Sequence, residues 1–294
     1  MTSKLTFIIN PVAGPGNNLL FWNKLAKKLK QNNISFRAKF TKHRNHAAKL
    51  AFKRLKKDTK AIIVSVGGDG IFNEVASALV NSQATLAHVP RGSGNGLARM
   101  LKLKAKRNGI INYLTKGRVE LIDTGQVNNQ HFFCTAGFGL DALVAHRFVQ
   151  SKSRGFKNYI LYTICTYLNY KGVSASFEID GETFEGDYFM VTFANANQFG
   201  NNAFIAPQAQ LNDGLLDVTI IRPFARIYVP FVVLGLFGKF IHRFSFVETR
   251  KVKSATINKL SQNYFHRDGD VSQVMLPAKI YLNPKALQIL IPSR

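Results

Sequence analysis

The first third of the chain alternates short, wholly apolar runs with longer segments whose apolar residues recur every three or four positions. KLTFIIN (4–10) reads as a buried strand, and NNLLFWNKLAKKLKQ (17–31) sets apolar residues at helical spacing with lysines opposite. SFRAKFT (35–41) alternates as a strand does, and NHAAKLAFKRLKK (45–57) reads as a basic amphipathic helix. AIIVSV (61–66), FNEVASALVN (72–81), TLAHVP (85–90) and GLARMLKL (96–103) continue as strand, helix, strand and the start of a helix. Strand and helix taking turns in this way predict a parallel sheet covered on both faces.

Near Glu120 the pattern changes. RVELIDTGQVNNQHFFCTAGF (118–138) alternates with period two between turn residues, and SASFEIDGETFEGDYFMVTFANA (174–196) carries a hairpin signal at Asp180-Gly181. One helix is expected in SRGFKNYILYTICTYLNYKG (153–172). The remainder is rich in aromatic and β-branched residues, so a second, mainly antiparallel β domain follows the first. IYVPFVVLGLF (227–237) is the nearest thing to a membrane span, but it falls short of the ~20 apolar residues required, and Pro230 and Gly235 interrupt it.

Charge adds a constraint. The 294 residues hold 40 Lys and Arg against 16 Asp and Glu, a net +24 that draws anions: nucleic acid, nucleotides or an acidic membrane surface. Cys134 and Cys165 form no disulfide framework or zinc motif and are expected to be small buried apolar residues. The seven histidines are scattered without metal-ligand spacing, and His266 is read as structural. MTSKLTFIINPVAG lacks the features of a signal peptide, which places the chain in a reducing cytoplasm.

Three loops rich in Gly and Asn follow strand ends in the first domain: NPVAGPGNN (10–18), GGDGIFNE (67–74) and PRGSGNG (90–96). In an open parallel sheet the strand ends share one edge, where glycines let backbone N–H groups approach phosphate oxygens. No Walker loop is present. The dinucleotide fingerprint fails too, because Gly14 and Gly16 are followed by Leu19 and no acidic residue closes the second strand. Before Glu120 the only carboxylates are Asp58, Asp69 and Glu74, and after Glu248 only Asp268 and Asp270, in FHRDGDVSQ (265–273). Two carboxylate-bearing glycine turns in so basic a chain suit a magnesium–nucleotide site between domains. Glu74, one helical turn after Asp69, is expected to support the helix or the loop.

GGDGIFNEV followed by PRGSGNGLAR resembles the diacylglycerol kinase catalytic-domain superfamily, which includes bacterial lipid kinases and sphingosine kinases. The likeness runs almost the whole chain, through NPVAG, TKHRNHAAKLA, TAGFGLDA, IAPQAQLNDGLLDV and HRDGD in order. NAD kinases share the GGDG loop without the Gly-Ser-Gly-Asn element, so the combination is specific. The resemblance implies an NAD kinase/phosphofructokinase-like α/β domain over 1–122, rejoined by 284–294, and an antiparallel β-sandwich domain over 123–283. It implies ATP and Mg²⁺, with Asn10, Pro11, Gly14, Thr41, Gly67, Gly68, Asp69, Gly70, Ile71, Phe72, Asn73, Ser93 and Asn95 at the nucleotide. Asp213, with the backbone oxygens of Gln210 and Leu215, matches the family's magnesium site, Asp69 is a second magnesium candidate, and Asp270 stands at the proton acceptor. Three positions depart from the family pattern: Ile71 replaces Thr, Ser93-Gly94-Asn95-Gly96 replaces Thr-Gly-Asn-Asp, and Asp270 replaces Glu. The first two lean toward sphingosine-kinase-like members, and the third keeps Asp69, Asp268 and Asp270 all open as catalytic carboxylates.

The expected activity is therefore transfer of the γ-phosphoryl group of ATP to a lipid hydroxyl of diacylglycerol or sphingoid-base type. A kinase for a soluble substrate, of NAD-kinase type, is the alternative. A nucleic-acid-binding protein is the lesser one, because the lysines of 22–30 and 46–57 read as solvated helix faces and no nucleic-acid partner is expected. RPFARIYVPFVVLGLFGKFIHRFSF (222–246) mixes large apolar residues with Arg222, Arg226, Lys239, His242 and Arg243. It suggests peripheral binding to the anionic inner membrane face. The oligomeric state stays open, a homodimer being one option.

Overall fold

The computed structural model describes residues 5–14, 18–103, 107–150, 162–163, 165–167 and 169–293. The chain divides into two compact units, 1–122 with 285–294, and 123–284.

In the first unit β1 (Leu5–Ile9), β2 (Phe36–Phe40), β3 (Ile62–Gly67) and β4 (Thr85–Pro90) lie parallel in the order β2-β1-β3-β4. The last residues of the chain's final strand join beside β4, with Gln288 opposite Thr85 and Ile289 opposite Leu86. β1 is buried at all five positions and β4 at all six, the burial expected of central strands covered on both faces. α1 (Asn18–Gln31), α2 (His46–Leu55) and α3 (Asp69–Leu79) are the crossovers between them. Trp22 and Leu25 of α1 pack with Phe7 and Phe36, Trp22 meeting the Phe7 ring at 5.0 Å and the Phe36 ring edge-on at 5.6 Å.

After α4 (Gly96–Met100) comes a helix that the pattern does not reveal, α5 (Arg107–Lys116). Its apolar residues cluster behind Gly109 without clear periodicity, and tertiary contact holds it. The buried Tyr113 hydroxyl accepts from the His88 amide at 3.1 Å and donates to the Leu290 carbonyl at 3.0 Å.

β5 (Arg118–Val127) leads into the second unit, followed by β6 (Gln130–Phe132), β7 (Thr135–Gly139) and α6 (Leu140–Gln150). The sequence gives no warning of α6, because β7 runs into it with no intervening turn. The helix expected over 153–172 falls largely outside the described residues, though 162–163 and 165–167 are helical. Cys134 is buried as expected, but Cys165 is exposed, and its neighbour Thr166 takes the buried position on that helical turn.

The other strands are β8 (Val173–Ile179), β9 (Glu182–Tyr188), β10 (Met190–Ala194), β11 (Leu216–Ile221), β12 (Val247–Val252), β13 (Ser254–Leu260), β14 (Tyr264–Arg267), β15 (Asp270–Gln273) and β16 (Ala278–Ile291). Between β11 and β12 stands one further helix, α7 (Val229–Gly238). An antiparallel sheet β12-β11-β10-β7-β14-β15 packs against antiparallel pairs of β9, β8, β13 and the first residues of β16. Phe138, Val191, Phe193 and Phe265 from one layer meet Phe177, Ile257 and Ile280 from the other in a single core. β8 alternates as its sequence predicts, with Val173, Ala175, Phe177 and Ile179 inward and Glu178 outward. Asp180 and Gly181, at φ 47° and 88°, close its hairpin with β9 in the left-handed region. Among the described residues no helix is long and apolar enough to cross a membrane.

Candidate functional site

Parallel register brings the three glycine loops to one edge. Ile9 lies beside Val66 and Gly67 beside Pro90, so the chain leaves β1, β3 and β4 at the same level. The Asn10 amide then donates to the Val66 carbonyl at 3.1 Å, Arg91 to Gly67 at 2.6 Å, and Thr41 to Ile9 at 2.9 Å.

The glycines here have different physical reasons. A Cβ on Gly92 would lie 2.6 Å from the Gly68 Cα, and one on Gly14, at φ +84°, would lie 2.1 Å from the Arg91 carbonyl oxygen. These residues let the loops touch backbone to backbone. Gly70 differs, because a Cβ there would meet nothing within 4 Å. Its lack of a side chain leaves clear the approach to the first turn of α3, where backbone N–H groups favour an anion.

Asp69 opens α3. Its Oδ2 accepts the Asn95 amide at 2.8 Å, and burial holds its carboxyl above the usual range against the opposing effect of that bond. Asn95, at φ 52°, uses its side chain on its own loop: Nδ2 donates to the Gly92 carbonyl at 2.6 Å, and Oδ1 accepts the Gly92 amide at 3.1 Å. Asn10 similarly accepts the Val12 amide through Oδ1 at 3.1 Å. Ile71 and Phe72 are buried, Phe72 edge-on to the His88 ring at 5.2 Å, so each can offer a ligand only its backbone. Asn73, Pro11 and Thr41 are half-buried, and Ser93 is exposed. Glu74 turns toward the loop after β2, where its two oxygens accept the Asn45 and Ala47 amides, each at 2.9 Å, and so cap α2.

In the second unit the carboxylates of the HRDGD turn have separate roles. Asp268, at φ 49°, accepts the Phe133 amide through Oδ2 at 2.8 Å and the Cys134 and Thr135 amides through Oδ1 at 2.7 and 3.0 Å. Its carboxylate clasps the chain between β6 and β7. Asp270, two residues on, is exposed at the start of β15. Below this turn lies a pair that the sequence reading did not assemble. His266 Nε2 is 2.8 Å from Asp141 Oδ2, which also accepts the Thr192 hydroxyl at 3.2 Å. Only the TAGFGLDA stretch, with a carboxylate closing an apolar run, could have pointed to Asp141.

Asp213 lies in a tight turn with Gly214, whose φ is 76°. Asp213 Oδ1 accepts the Leu215 amide at 3.2 Å and Oδ2 the Lys251 ammonium at 2.5 Å, while the Gly214 amide donates to Asp123 at 2.8 Å. Asp217 stands 3.9 Å from the same ammonium. Its Oδ2 is buried without a hydrogen-bond partner, and burial pushes its carboxyl up to about 6. Two carboxylates thus share one lysine. On charge and donor type the turn fits a hard cation held by Asp213 and neighbouring carbonyls such as those of Gln210 and Leu215, and Lys251 competes for the same oxygen. Asp69 is likewise a hard oxygen donor whose burial a cation would offset. Among the described residues no cluster of three or more His, Cys, Asp or Glu is arranged to hold a metal by side chains alone.

Comparison with known proteins agrees with this layout. The diacylglycerol kinase catalytic domain profile matches residues 4–127, and that of the YegS C-terminal NAD kinase beta sandwich-like domain matches 134–291. A diacylglycerol kinase of Mycobacterium tuberculosis is 26% identical over 297 residues, spanning 98% of this chain and 95% of that protein. A diacylglycerol kinase of Bacillus subtilis is 28% identical over 258 residues, spanning 84% and 82%. A crystal structure of a diacylglycerol kinase from Bacillus anthracis has the same fold, with a TM-score of 0.75 at 20% identity over 98% of this chain and 97% of that one.

Proposed function

The chain belongs to the family that joins a diacylglycerol kinase catalytic domain to a YegS-type C-terminal domain, and from that premise we propose that it transfers the γ-phosphoryl group of ATP to a lipid hydroxyl, of diacylglycerol or sphingoid-base type. The observation that carries the reading is the edge built from Asn10, Gly67–Asp69 and Arg91–Asn95, with Gly70 leaving the first turn of α3 open. Backbone N–H groups there suit phosphate oxygens, and the loops are already locked together by Asn95 and by the contact of Gly68 with Gly92. Phosphoryl transfer passes through a loose transition state, so positioning and charge contribute more than a strong base. A magnesium ion bound there would neutralise charge on the phosphates, and Asp69 would help to hold it.

The acceptor carboxylate is Asp270. Asp268 accepts three backbone amides, whereas Asp270 is exposed at the start of the next strand. As the lipid oxygen bonds to phosphorus and the bond to ADP breaks, the hydroxyl proton passes to Asp270. Asp268 positions that turn, and the His266–Asp141 pair supports the strand beneath it.

Paired variants separate these roles. Asp270→Ala is expected to lower kcat by about 10²- to 10⁴-fold with an unchanged melting temperature. Asp268→Ala leaves three amides without a charged acceptor and should cost at least about 3 kcal/mol of stability. Normal turnover in a well-folded Asp270→Ala protein removes it from the mechanism. The assay screens diacylglycerol, sphingoid base, ceramide and phosphatidylglycerol in mixed micelles. ATP consumption with a soluble acceptor and none of these lipids would favour an NAD-kinase-type activity.

A further inference from the structure

Residues 227–238 carry no charge, yet they do not form a core helix. Only Val232 and Gly235 of α7 are buried, with Leu236 half-buried beside them. Outward stand Ile227, Tyr228, Phe231, Val233, Leu234 and Phe237, of which Ile227 is 74% and Leu234 59% exposed.

This exposure is enforced from beneath. A Cβ on Gly235 would lie 2.8 Å from the Phe244 ring and 3.2 Å from the Ile241 Cα, so the helix sits as close to the unit as its backbone allows. The Phe204 amide donates to the Leu236 carbonyl at 2.9 Å, and Lys239 ends the helix in the left-handed region with its ammonium 4.5 Å from the Phe204 ring centre. Phe224, Phe246 and Phe244 stack in succession at 4.6 and 5.3 Å under the same segment. With the inner stripe already packed, the outer side chains have no core to reach. A contiguous apolar face of this kind marks a docking surface.

Charge selects the occupant. Between Asp217 and Glu248 the sequence holds no acidic residue, while Arg222, Arg226, Lys239 and Arg243 are all exposed around the apolar face. Glu248 offsets only part of this, through Arg222 at 3.6 Å. A second copy of a chain of net charge +24 would bring the same cations against one another. An anionic bilayer supplies both apolar depth and negative headgroups. We propose that α7 and its flanking cations dock this protein on an anionic lipid surface, a property that goes beyond the kinase reading and can be measured without catalysis.

Flotation with vesicles of phosphatidylglycerol and phosphatidylcholine, beside pure phosphatidylcholine, in the absence of nucleotide tests it. The wild-type protein should float with the anionic vesicles and much less with the neutral ones. Removing Arg226, Lys239 and Arg243 together as Gln should weaken binding about a hundredfold, at roughly fivefold per cation. Leu234→Ser with Phe231→Ser, on exposed positions that leave the core intact, should weaken it at least about tenfold. Matching melting temperatures confirm that each variant is folded. Wild-type protein that stays off anionic vesicles overturns the proposal, as do both variant sets binding like wild type. Loss of concentration-dependent self-association in the serine variant, with vesicle binding intact, would instead make this face a contact between copies. Flotation without lipid phosphorylation would leave docking standing and refute the kinase reading.

Discussion

Lys251 joins Asp213 of the turn and Asp217 of β11, at 2.5 Å and 3.9 Å. If the turn holds a magnesium ion, the ammonium and the ion would be alternatives for the same oxygen. Lys251→Met, which keeps most of the side-chain volume, should lower the melting temperature in the presence of EDTA. It should also enlarge the rise produced by millimolar Mg²⁺ relative to wild type, because the carboxylates then lose the ammonium that offsets their charge. Thermal denaturation of both proteins across a magnesium series reads this directly. An equal response in the two would mean that the turn binds no metal. Asp69 differs from this cluster in having a helix N-terminus beside it, and Asp268 in accepting three backbone amides. Residue type is the same in each case, and surroundings set the role.

At the scale of elements, the candidate phosphate edge depends on two loops meeting without side chains between them. Gly92→Ala would force the Gly68 backbone to move, since the added methyl would lie 2.6 Å from its Cα and 2.8 Å from Asn95 Oδ1. Gly70→Ala fills open space instead and leaves the fold undisturbed. Gly92→Ala should therefore cost about 1–3 kcal/mol of stability, while Gly70→Ala should keep its stability and lose nucleotide affinity. Chemical denaturation and nucleotide titration of both variants check this pair, and equal affinity in Gly70→Ala and wild type would argue against an anion at the start of α3. Glu74 extends the same element logic, because α3 carries at its second turn the cap that α2 lacks.

For the molecule as a whole, excess positive charge and a buried histidine act together in acid. Burial in β4 drives His88 down to about 3, with the Ser65 hydroxyl 2.8 Å from Nδ1. The folded protein keeps this imidazole neutral, whereas the unfolded chain protonates it below about 6.5. The unfolded state thus binds the extra proton, and stability is lost as pH falls from 6.5 toward 3, by up to about 1.4 kcal/mol per pH unit. Protonation of carboxylates adds to a charge already at +24 and works in the same direction. Urea unfolding between pH 7 and 4 should show this loss, with a shallower slope in His88→Gln. Parallel slopes in the two proteins would remove His88 as a cause.

Hydrophobic pattern alone determined much of this protein. Strands such as β1, β3 and β4 are continuous apolar runs because both their faces are covered, and β8 alternates because only one of its faces is. The glycine loops were also legible, since a run such as GGDG after a strand has few structural meanings. α5 and α6 were not, because Tyr113 is held by partners at His88 and Leu290, distant in sequence, and α6 starts where a strand has only just ended. The different surroundings of Asp268 and Asp270 likewise depend on where the chain between β6 and β7 comes to lie, 135 residues away along the sequence in the case of Phe133. The exposure of α7 is of the same kind: twelve uncharged residues read equally as core or as surface until the space beneath Gly235 is filled by Phe244 and Ile241. Local periodicity reports which residues avoid water, whereas long-range packing decides which of them succeed and which carboxylates are left facing solvent.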